Sequence, residues 1–186
     1  MNSYIYDRLQ ALIRKHSTRD PYQLLSALHV VVRESSAYSQ LKGFCLISCR
    51  TTYVVLNARL GEPEKRIVAA HELGHIVLHR RQLRLAPMQD VILYDMQSAA
   101  EYEANLFAAD LLLTDEEVLS LAHDEQMDYF RMCSTLYTSP DLMSFKLFSL
   151  IKRGYPLRMP LELDSRFLAQ KQTSCSDADT AADLPL

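Results

Sequence analysis

Two histidines four residues apart, with a glutamate between them, form the stretch of this sequence best suited to chemistry. The stretch reads His71-Glu72-Leu73-Gly74-His75, and apolar residues flank it on both sides. Residues four apart on a helix lie one turn above each other, so the two imidazoles can bind one metal ion. Glu72 directly follows the first histidine, where it can accept a proton from a water molecule at that metal. The pattern predicts a zinc site on a buried helix, with Glu72 as the general base.

A different interpretation of the same stretch is a buried helix whose histidines only meet carbonyls or carboxylates. The presence of a third ligand would distinguish the zinc site from this alternative, since a hydrolytic zinc needs three protein ligands and one open position for water. Glu101 and Glu103 are both available on a later predicted helix. They point about 200° apart on that helix, so we expect only one of them to face the metal helix. Periodicity alone does not choose between them, and Glu101 could also serve only as the capping-box partner of Ser98.

His79 extends the histidine row by one more helical turn. Eight residues of helix rise about 12 Å, which is too far for His71 and His79 to bind one zinc with bonds of about 2 Å. We therefore expect His79 outside the ligand set, at the C-terminal end of the helix or behind a ligand.

The composition is that of an ordinary globular domain. The chain has 186 residues, of which 48% are hydrophobic and 23% are charged, with a formal net charge of −3. That charge gives no overall attraction to nucleic acid or to an anionic membrane. There is no apolar run of membrane-spanning length, and the mixed charges of the first sixteen residues lead us to expect no signal peptide. The four cysteines lack metal-site or disulfide-framework spacing. We expect a cytoplasmic protein with no direct nucleic-acid or membrane partner; the sequence leaves the oligomeric state open.

The elements that precede the motif are predicted from periodicity. Residues 3 to about 16 form an amphipathic helix, and a second helix capped by Asp20 has an apolar stripe that includes Val31. The runs 43–49 and 51–57 are rich in β-branched and aromatic residues, which predicts neighbouring strands of a small antiparallel sheet. The turn between these strands has no recognisable signature.

The elements that follow the motif are mostly helical. Residues 82–97 indicate a loop with one brief strand at 91–94, and Ser98 begins the helix that carries the two glutamates. Further helices are expected from Thr114, over about 125–134, and from Ser139-Pro140. The last two could form a helix-turn-helix, but a packed helical subdomain is favoured because the second offers few base-reading residues. Residues 171–186 have the composition of a disordered tail.

Two motifs together resemble a known family. HELGHIVLH at 71–79 and EYEANLFAADLLLTDEE at 101–117 are similar to the ImmA/IrrE family of bacterial metallopeptidases, in which HExxH precedes E-x-(E/Q)-A-N-x-F-A. Those enzymes cleave repressors of mobile elements or DNA-damage regulons. The resemblance assigns the third ligand to Glu101. Asn105 follows one turn later, a position similar to the one in thermolysin-like zinc peptidases where a side chain steadies a histidine ligand from behind.

The resemblance covers roughly residues 3–157 and completes the expected organisation. We expect an α+β fold, namely a mainly helical zincin-like domain with a small antiparallel sheet packed beside the HExxH helix. Residues 1–157 would be a single metallopeptidase domain, with its zinc core at about 41–113 and a helical subdomain at about 114–157. Residues 158–186 would be an extension.

The functional expectation is a zinc-dependent endopeptidase that cleaves a cytosolic protein. Zinc would be held by His71, His75 and Glu101, with Glu72 as the base. The resemblance implies a phage or integrative-element repressor as the substrate and control by the host's damage response. His79, Tyr94 and Tyr102 are candidates for stabilising the oxyanion. The alternatives are a non-catalytic protein-binding regulator with a fold-supporting zinc site and a helix-turn-helix DNA-binding regulator.

Overall fold

The computed structural model describes residues 2–90, 98–124 and 126–159. Within them the helices are α1 Asn2–His16, α2 Pro21–Ala27, α3 Glu62–Leu78, α4 Arg80–Leu83, α5 Ala99–Leu112, α6 Asp115–Ala122, α7 Tyr129–Thr135 and α8 Pro140–Lys152, and the strands are β1 Val31–Ser35, β2 Gly43–Ser48, β3 Thr51–Asn57 and β4 Met88–Asp90. The predicted class is confirmed: the fold is a mainly helical α+β domain with a small sheet against the HExxH helix α3. The strand predicted at 91–94 and the tail predicted at 171–186 lie outside the described residues.

The second helix begins as its sequence predicts but ends earlier. The Asp20 side chain accepts a hydrogen bond from the Gln23 backbone N–H, so the predicted cap is confirmed. The helix ends at Ala27, and His29 takes a left-handed conformation with φ of 57° that turns the chain. Val31 was expected in the apolar stripe of this helix, yet it begins β1. Three successive β-branched valines favour an extended backbone, which explains the difference.

The sheet is mixed, which corrects the prediction of an antiparallel sheet. Its strand order is β1-β3-β2-β4. β2 runs antiparallel to β3, as expected, and also antiparallel to β4, whereas β1 runs parallel to β3. The prediction is wrong at this edge because the residues of β1 continue the helical pattern before them. A parallel pair also has no hairpin turn to mark it in the sequence.

The turn between β2 and β3 is a two-residue hairpin loop. Ser48 pairs with Thr51, and the two residues between them, Cys49 and Arg50, have φ of 48° and 65°. Two successive positive φ values are typical of a type I′ turn, whose twist matches that of the strands. Neither cysteine nor arginine favours this conformation, so the register is set by the strands rather than by the turn residues.

α3 lies at the centre of the domain. Pro63 stands in its first turn together with Glu62 and Glu64, which suit the positive end of the helix dipole. One side of α3 packs on β2 and β3, and another packs on α5. Every residue from Val68 to Ile76 is buried. The chemistry-bearing segment therefore lies inside the fold, between the sheet and α5.

The C-terminal helices begin at caps. Thr114 and Glu117 form the predicted capping box of α6, and the predicted cap of α8 at Ser139 is also confirmed. α7 begins at Tyr129, later than the predicted 125, because the Asp128 side chain caps it.

α8 is a core helix. It packs against α5, and its residues 142–147, 149 and 150 are buried. A helix buried to this extent has little surface left for a DNA groove. In the described parts of the chain, no helix is both long enough and apolar enough to cross a bilayer.

Candidate metal centre

The two histidines of α3 converge on one point inside the protein. His71 and His75 are 1% and 0% exposed, and their Nε2 atoms lie 2.9 Å apart. Four residues of regular helix place them one above the other, as the sequence predicts. Since both rings aim the same nitrogen at the same place, the pair can hold one ion from the helix side.

Glu101 reaches the same point from the first turn of α5. The Ser98 hydroxyl accepts a hydrogen bond from the Glu101 backbone N–H, which fixes the start of this helix. The Glu101 carboxylate lies 3.2 Å from His71 Nε2 through Oε2 and 3.4 Å from His75 Nε2 through Oε1. The Glu101 side chain is 20% exposed, whereas the histidines are buried, so Glu101 lies on the solvent side of the centre.

The three side chains fit a divalent metal. One ligand atom from each of His71, His75 and Glu101 lies within 4.8 Å of the other two. Ligands at about 2.0–2.2 Å around a tetrahedral zinc lie about 3.3–3.6 Å from one another, which is close to the distances found here. Two imidazoles and one carboxylate are also a donor set used by hydrolytic zinc sites, which leave the fourth position to water or substrate.

Gly74 allows the two helices to come this close. A Cβ atom at Gly74 would lie 3.1 Å from Ala104 Cα and 3.3 Å from the Ala104 carbonyl oxygen. Both atoms belong to the α5 backbone and cannot move aside as a side chain could. A larger residue at Gly74 would therefore push α5 outward and carry Glu101 away from the histidines.

Glu72 lies on the sheet side of the centre, against β2. Its side chain is fully buried. A Cβ atom at Gly43, the first residue of β2, would lie 2.4 Å from Val68 Cγ1 and 3.2 Å from Glu72 Oε1. The absence of a side chain at Gly43 thus leaves room for this carboxylate between α3 and β2.

A second set of side chains contacts the ring nitrogens that face away from the centre. Asn105 Oδ1 lies 2.9 Å from His71 Nδ1, which is the contact expected for a side chain that steadies a histidine from behind. His79 Nδ1 lies 3.2 Å from His75 Nδ1, and His79 Nε2 lies 2.9 Å from Glu103 Oε2. His79 is the C-cap residue of α3, outside the converging group, as predicted.

Both glutamates of α5 meet histidines of the α3 row, which corrects the expectation that only one could. Glu101 meets His71 and His75, whereas Glu103 meets His79. The expectation was based on the angle of about 200° between the two glutamates on α5. His79 is the C-cap residue just past the end of α3, where Glu103, on another face of α5, contacts it. The third member of the histidine row was the only sequence signal for this contact.

The three predicted oxyanion candidates have different surroundings. His79 bonds to His75 and Glu103, and the ring of Tyr102 packs near those of Phe145 and Phe148 in α8. Tyr94 lies outside the described residues. The identity of the oxyanion-stabilising group stays a prediction.

Comparison with known proteins gives a family match and two relatives. Residues 26–142 match a peptidase family whose model is described as the IrrE N-terminal-like domain. "Uncharacterized immunity region protein 2" of Bacillus phage phi105 is 36% identical over 107 residues, which cover 58% of this chain and 66% of that protein. "Metallopeptidase ImmA" of Bacillus subtilis (strain 168) is 25% identical over 114 residues, which cover 60% of this chain and 64% of that protein. The chain thus spans slightly less than two thirds of the length of both relatives.

Proposed function

This chain belongs to the IrrE N-terminal-like domain family, a family of peptidases related to ImmA, and on that premise we propose that it is a zinc-dependent endopeptidase. The observation that carries the proposal is the convergence of His71, His75 and Glu101, with the buried Glu72 next to His71 in the sequence of α3. A metal ion is implied by the family, and zinc is the ion that best suits two imidazoles, one carboxylate and an open position.

The side chains at the centre have separate roles in the proposed reaction. His71, His75 and Glu101 would hold the zinc, which when bound supplies a Lewis acid and lowers the pKa of water. The Glu72 carboxylate accepts the proton of the attacking water and then delivers it to the nitrogen of the leaving amine. Its burial against Gly43 keeps the carboxylate in one place between these two transfers. Asn105 accepts a hydrogen bond from His71 Nδ1 and so directs the other nitrogen of that ring at the centre.

The proposed substrate is a cytosolic protein, specifically a transcriptional repressor of a phage or another mobile element. Support comes from the family resemblance and from the printed names of the relatives, one a metallopeptidase and the other a phage immunity-region protein. We extend the proposal to control of this activity by the host's damage response.

The domain organisation is also proposed: residues 1–157 form one metallopeptidase domain, and residues 158–186 extend it. Contacts of α5 with α1, α3 and α8 support a single unit, because one helix packs against elements from the start, middle and end of that range. The burial of α8 weighs against the helix-turn-helix alternative. A fold-supporting zinc would be expected to have four protein ligands rather than three.

The decisive experiment separates metal binding from catalysis. We expect Glu72→Gln to keep bound zinc but to lower the rate of repressor cleavage by about 10²–10⁴-fold, since proton transfer is lost. The substrate to be tested is any repressor encoded beside the gene for this protein, and zinc is measured by elemental analysis of the same samples. Glu64→Gln, an exposed residue of the same helix, is the matched control and should cleave normally. Undiminished cleavage by Glu72→Gln would rule out the assigned base.

A further inference from the structure

The two histidines of the centre are supported from behind in different ways. His71 Nδ1 contacts the Asn105 side-chain carbonyl oxygen at 2.9 Å. His75 Nδ1 contacts a second imidazole, His79, which in turn contacts the carboxylate of Glu103. Among the described residues, the first contact is to an amide, whereas the second leads through another ring to an acid.

The chemistry of metal binding sets the direction of every hydrogen bond in this row. A neutral imidazole has one N–H and one lone pair, and only the lone pair can bind a metal. His75 Nε2 faces Glu101 and His71 at the centre, so in the binding form the ring proton of His75 must be on Nδ1. His75 Nδ1 then donates to His79 Nδ1, which leaves the His79 proton on Nε2.

Glu103 completes this assignment. His79 Nε2 donates to Glu103 Oε2 over 2.9 Å. An ionised carboxylate can only accept hydrogen bonds, so it stabilises the form of His79 that is protonated on Nε2. That form in turn accepts the proton of His75 Nδ1. The opposite arrangement would turn a His75 N–H toward the centre and block the metal.

We propose that Glu103 and His79 form a positioning relay that fixes the ring proton of His75 on Nδ1 and keeps its Nε2 available to the metal. The proposal rests on the metal centre of the proposed function and deepens it. Neither residue is placed in the ligand set, and both act only through His75.

The surroundings of the relay suit this role. The His79 side chain is 8% exposed and the Glu103 side chain is 28% exposed, so the ring is buried while its carboxylate partner is partly open to solvent. The His79 backbone N–H donates to the His75 carbonyl oxygen at 2.8 Å, and this C-cap bond ties the two residues together. Glu103 is held by the same helix as Glu101, so α5 fixes the ligand and the relay together. Partners behind a metal ligand typically change metal affinity by about 10–100-fold.

The first test measures the zinc dissociation constant by competition with a chromophoric chelator. We expect Glu103→Ala to weaken zinc binding by about 10–100-fold, because the acceptor is lost. Glu103→Gln should lose less, since its amide oxygen can still accept from His79 Nε2. Glu116→Gln, an exposed acid of α6, is the control for the loss of one negative charge and should bind zinc normally. Equal affinity of Glu103→Ala and the parent protein, with both shown folded by circular dichroism, would overturn the relay.

The second test observes the ring protons directly. Long-range ¹H–¹⁵N spectra of the zinc-loaded parent protein, labelled at histidine, report which ring nitrogen carries each proton. We expect His75 protonated on Nδ1 and His79 on Nε2, and a mixture of His79 forms in Glu103→Ala. A His79 proton on Nδ1 in the parent protein would overturn the proposal.

If the parent protein binds no zinc, or if binding survives His75→Ala, the proposed function itself fails. Zinc that depends on His75 but not on Glu103 contradicts the relay alone.

Discussion

Helix α5 contributes to two polar clusters that differ in how their charges are balanced. Near its start lies the histidine cluster, defined as His71, His75, His79 and Glu101. Near its end lies the lysine cluster, defined as Asp110, Asp115, Lys146, Ser149 and Arg153. Both join distant parts of the chain through charged or titratable groups in the interior, yet only the first has the chemistry of a binding site.

The lysine cluster is complete within the protein. Lys146, which is fully buried, contacts Asp110 at 2.9 Å and Asp115 at 2.5 Å. Arg153 donates two hydrogen bonds to Asp115, and the Ser149 hydroxyl donates to Asp110 at 2.6 Å. Two cations thus face two carboxylates, and the interior charge is balanced.

In the histidine cluster, acceptors converge. When both rings carry their protons on Nδ1, the lone pairs of His71 and His75 and the carboxylate of Glu101 meet at one place. Acceptors that face one another repel, and a cation removes the repulsion. The lysine cluster, whose charges are balanced within the fold, therefore stabilises the structure, whereas the converging acceptors of the histidine cluster are suited to binding a cation.

The largest expected effect comes from removing one positive charge from the lysine cluster. Lys146→Met removes a cation that two buried carboxylates share, so we expect the free energy of unfolding to fall by about 3–5 kcal/mol. This loss of stability is measured by denaturant unfolding of the metal-free protein. Lys15→Met, at an exposed position of α1, is the control and should change stability by less than about 0.5 kcal/mol. Full stability of Lys146→Met would mean that the cluster contributes nothing to the fold.

Acid should weaken the same cluster more gradually. Burial raises the pKa of Asp115, but hydrogen bonds from Arg153 and Lys146 outweigh it and hold that pKa well below its usual range. The folded carboxyl therefore binds a proton less readily than the unfolded one. Its contribution is fully present above the unfolded pKa of about 3.9 and is lost as the pH falls through the folded pKa.

We expect the free energy of unfolding of the metal-free protein to decrease between pH 5 and pH 3. The decrease should be shallower for Asp115→Asn, which lacks the titrating group and is less stable than the parent protein at pH 7. The change is smaller than that caused by Lys146→Met, because this pH range covers only the upper part of the titration. Parallel pH profiles for the two proteins would contradict the role given to Asp115.

The two clusters also differ in how well the sequence predicts them. His71 and His75 lie four residues apart in one helix, so spacing alone brings them together. The resemblance was needed to choose Glu101, because it comes from another helix. Lys146 and Asp110 are 36 residues apart, and no local pattern links them. Charged residues in a helix indicate a solvated face by default, so the lysine cluster could not be predicted.

The elements of the fold also differ in how well the sequence predicts them, depending on whether they form from neighbouring or distant residues. Caps at Asp20 and Ser139 and the strand β3 follow from residues that are neighbours in the chain. The strand β1 was missed because its parallel pairing with β3 depends on residues about twenty positions away. Tertiary contact decides that pairing, and the valines that form it are compatible with a helical stripe.

Zinc removal should affect the histidine cluster alone. At a free zinc concentration of 100 times the dissociation constant, bound zinc adds about 2.7 kcal/mol to the free energy of unfolding. We expect this increment in the parent protein, measured with and without chelator, and its loss in His75→Ala. Lys146→Met should keep the full increment, because the clusters share no member. An increment that shrinks in Lys146→Met would show that the clusters are coupled through α5.

The smallest expected effects come from one hydrogen bond in each cluster. Ser149→Ala removes the donor to Asp110 and should lower the free energy of unfolding of the metal-free protein by about 1.5 kcal/mol, while the zinc dissociation constant stays unchanged. Asn105→Ala removes the acceptor behind His71 and should weaken zinc binding about tenfold. Each substitution thus changes mainly the quantity that its own cluster controls. If Ser149→Ala weakened zinc binding as much as Asn105→Ala, the division of α5 into a structural end and a metal-binding end would be wrong.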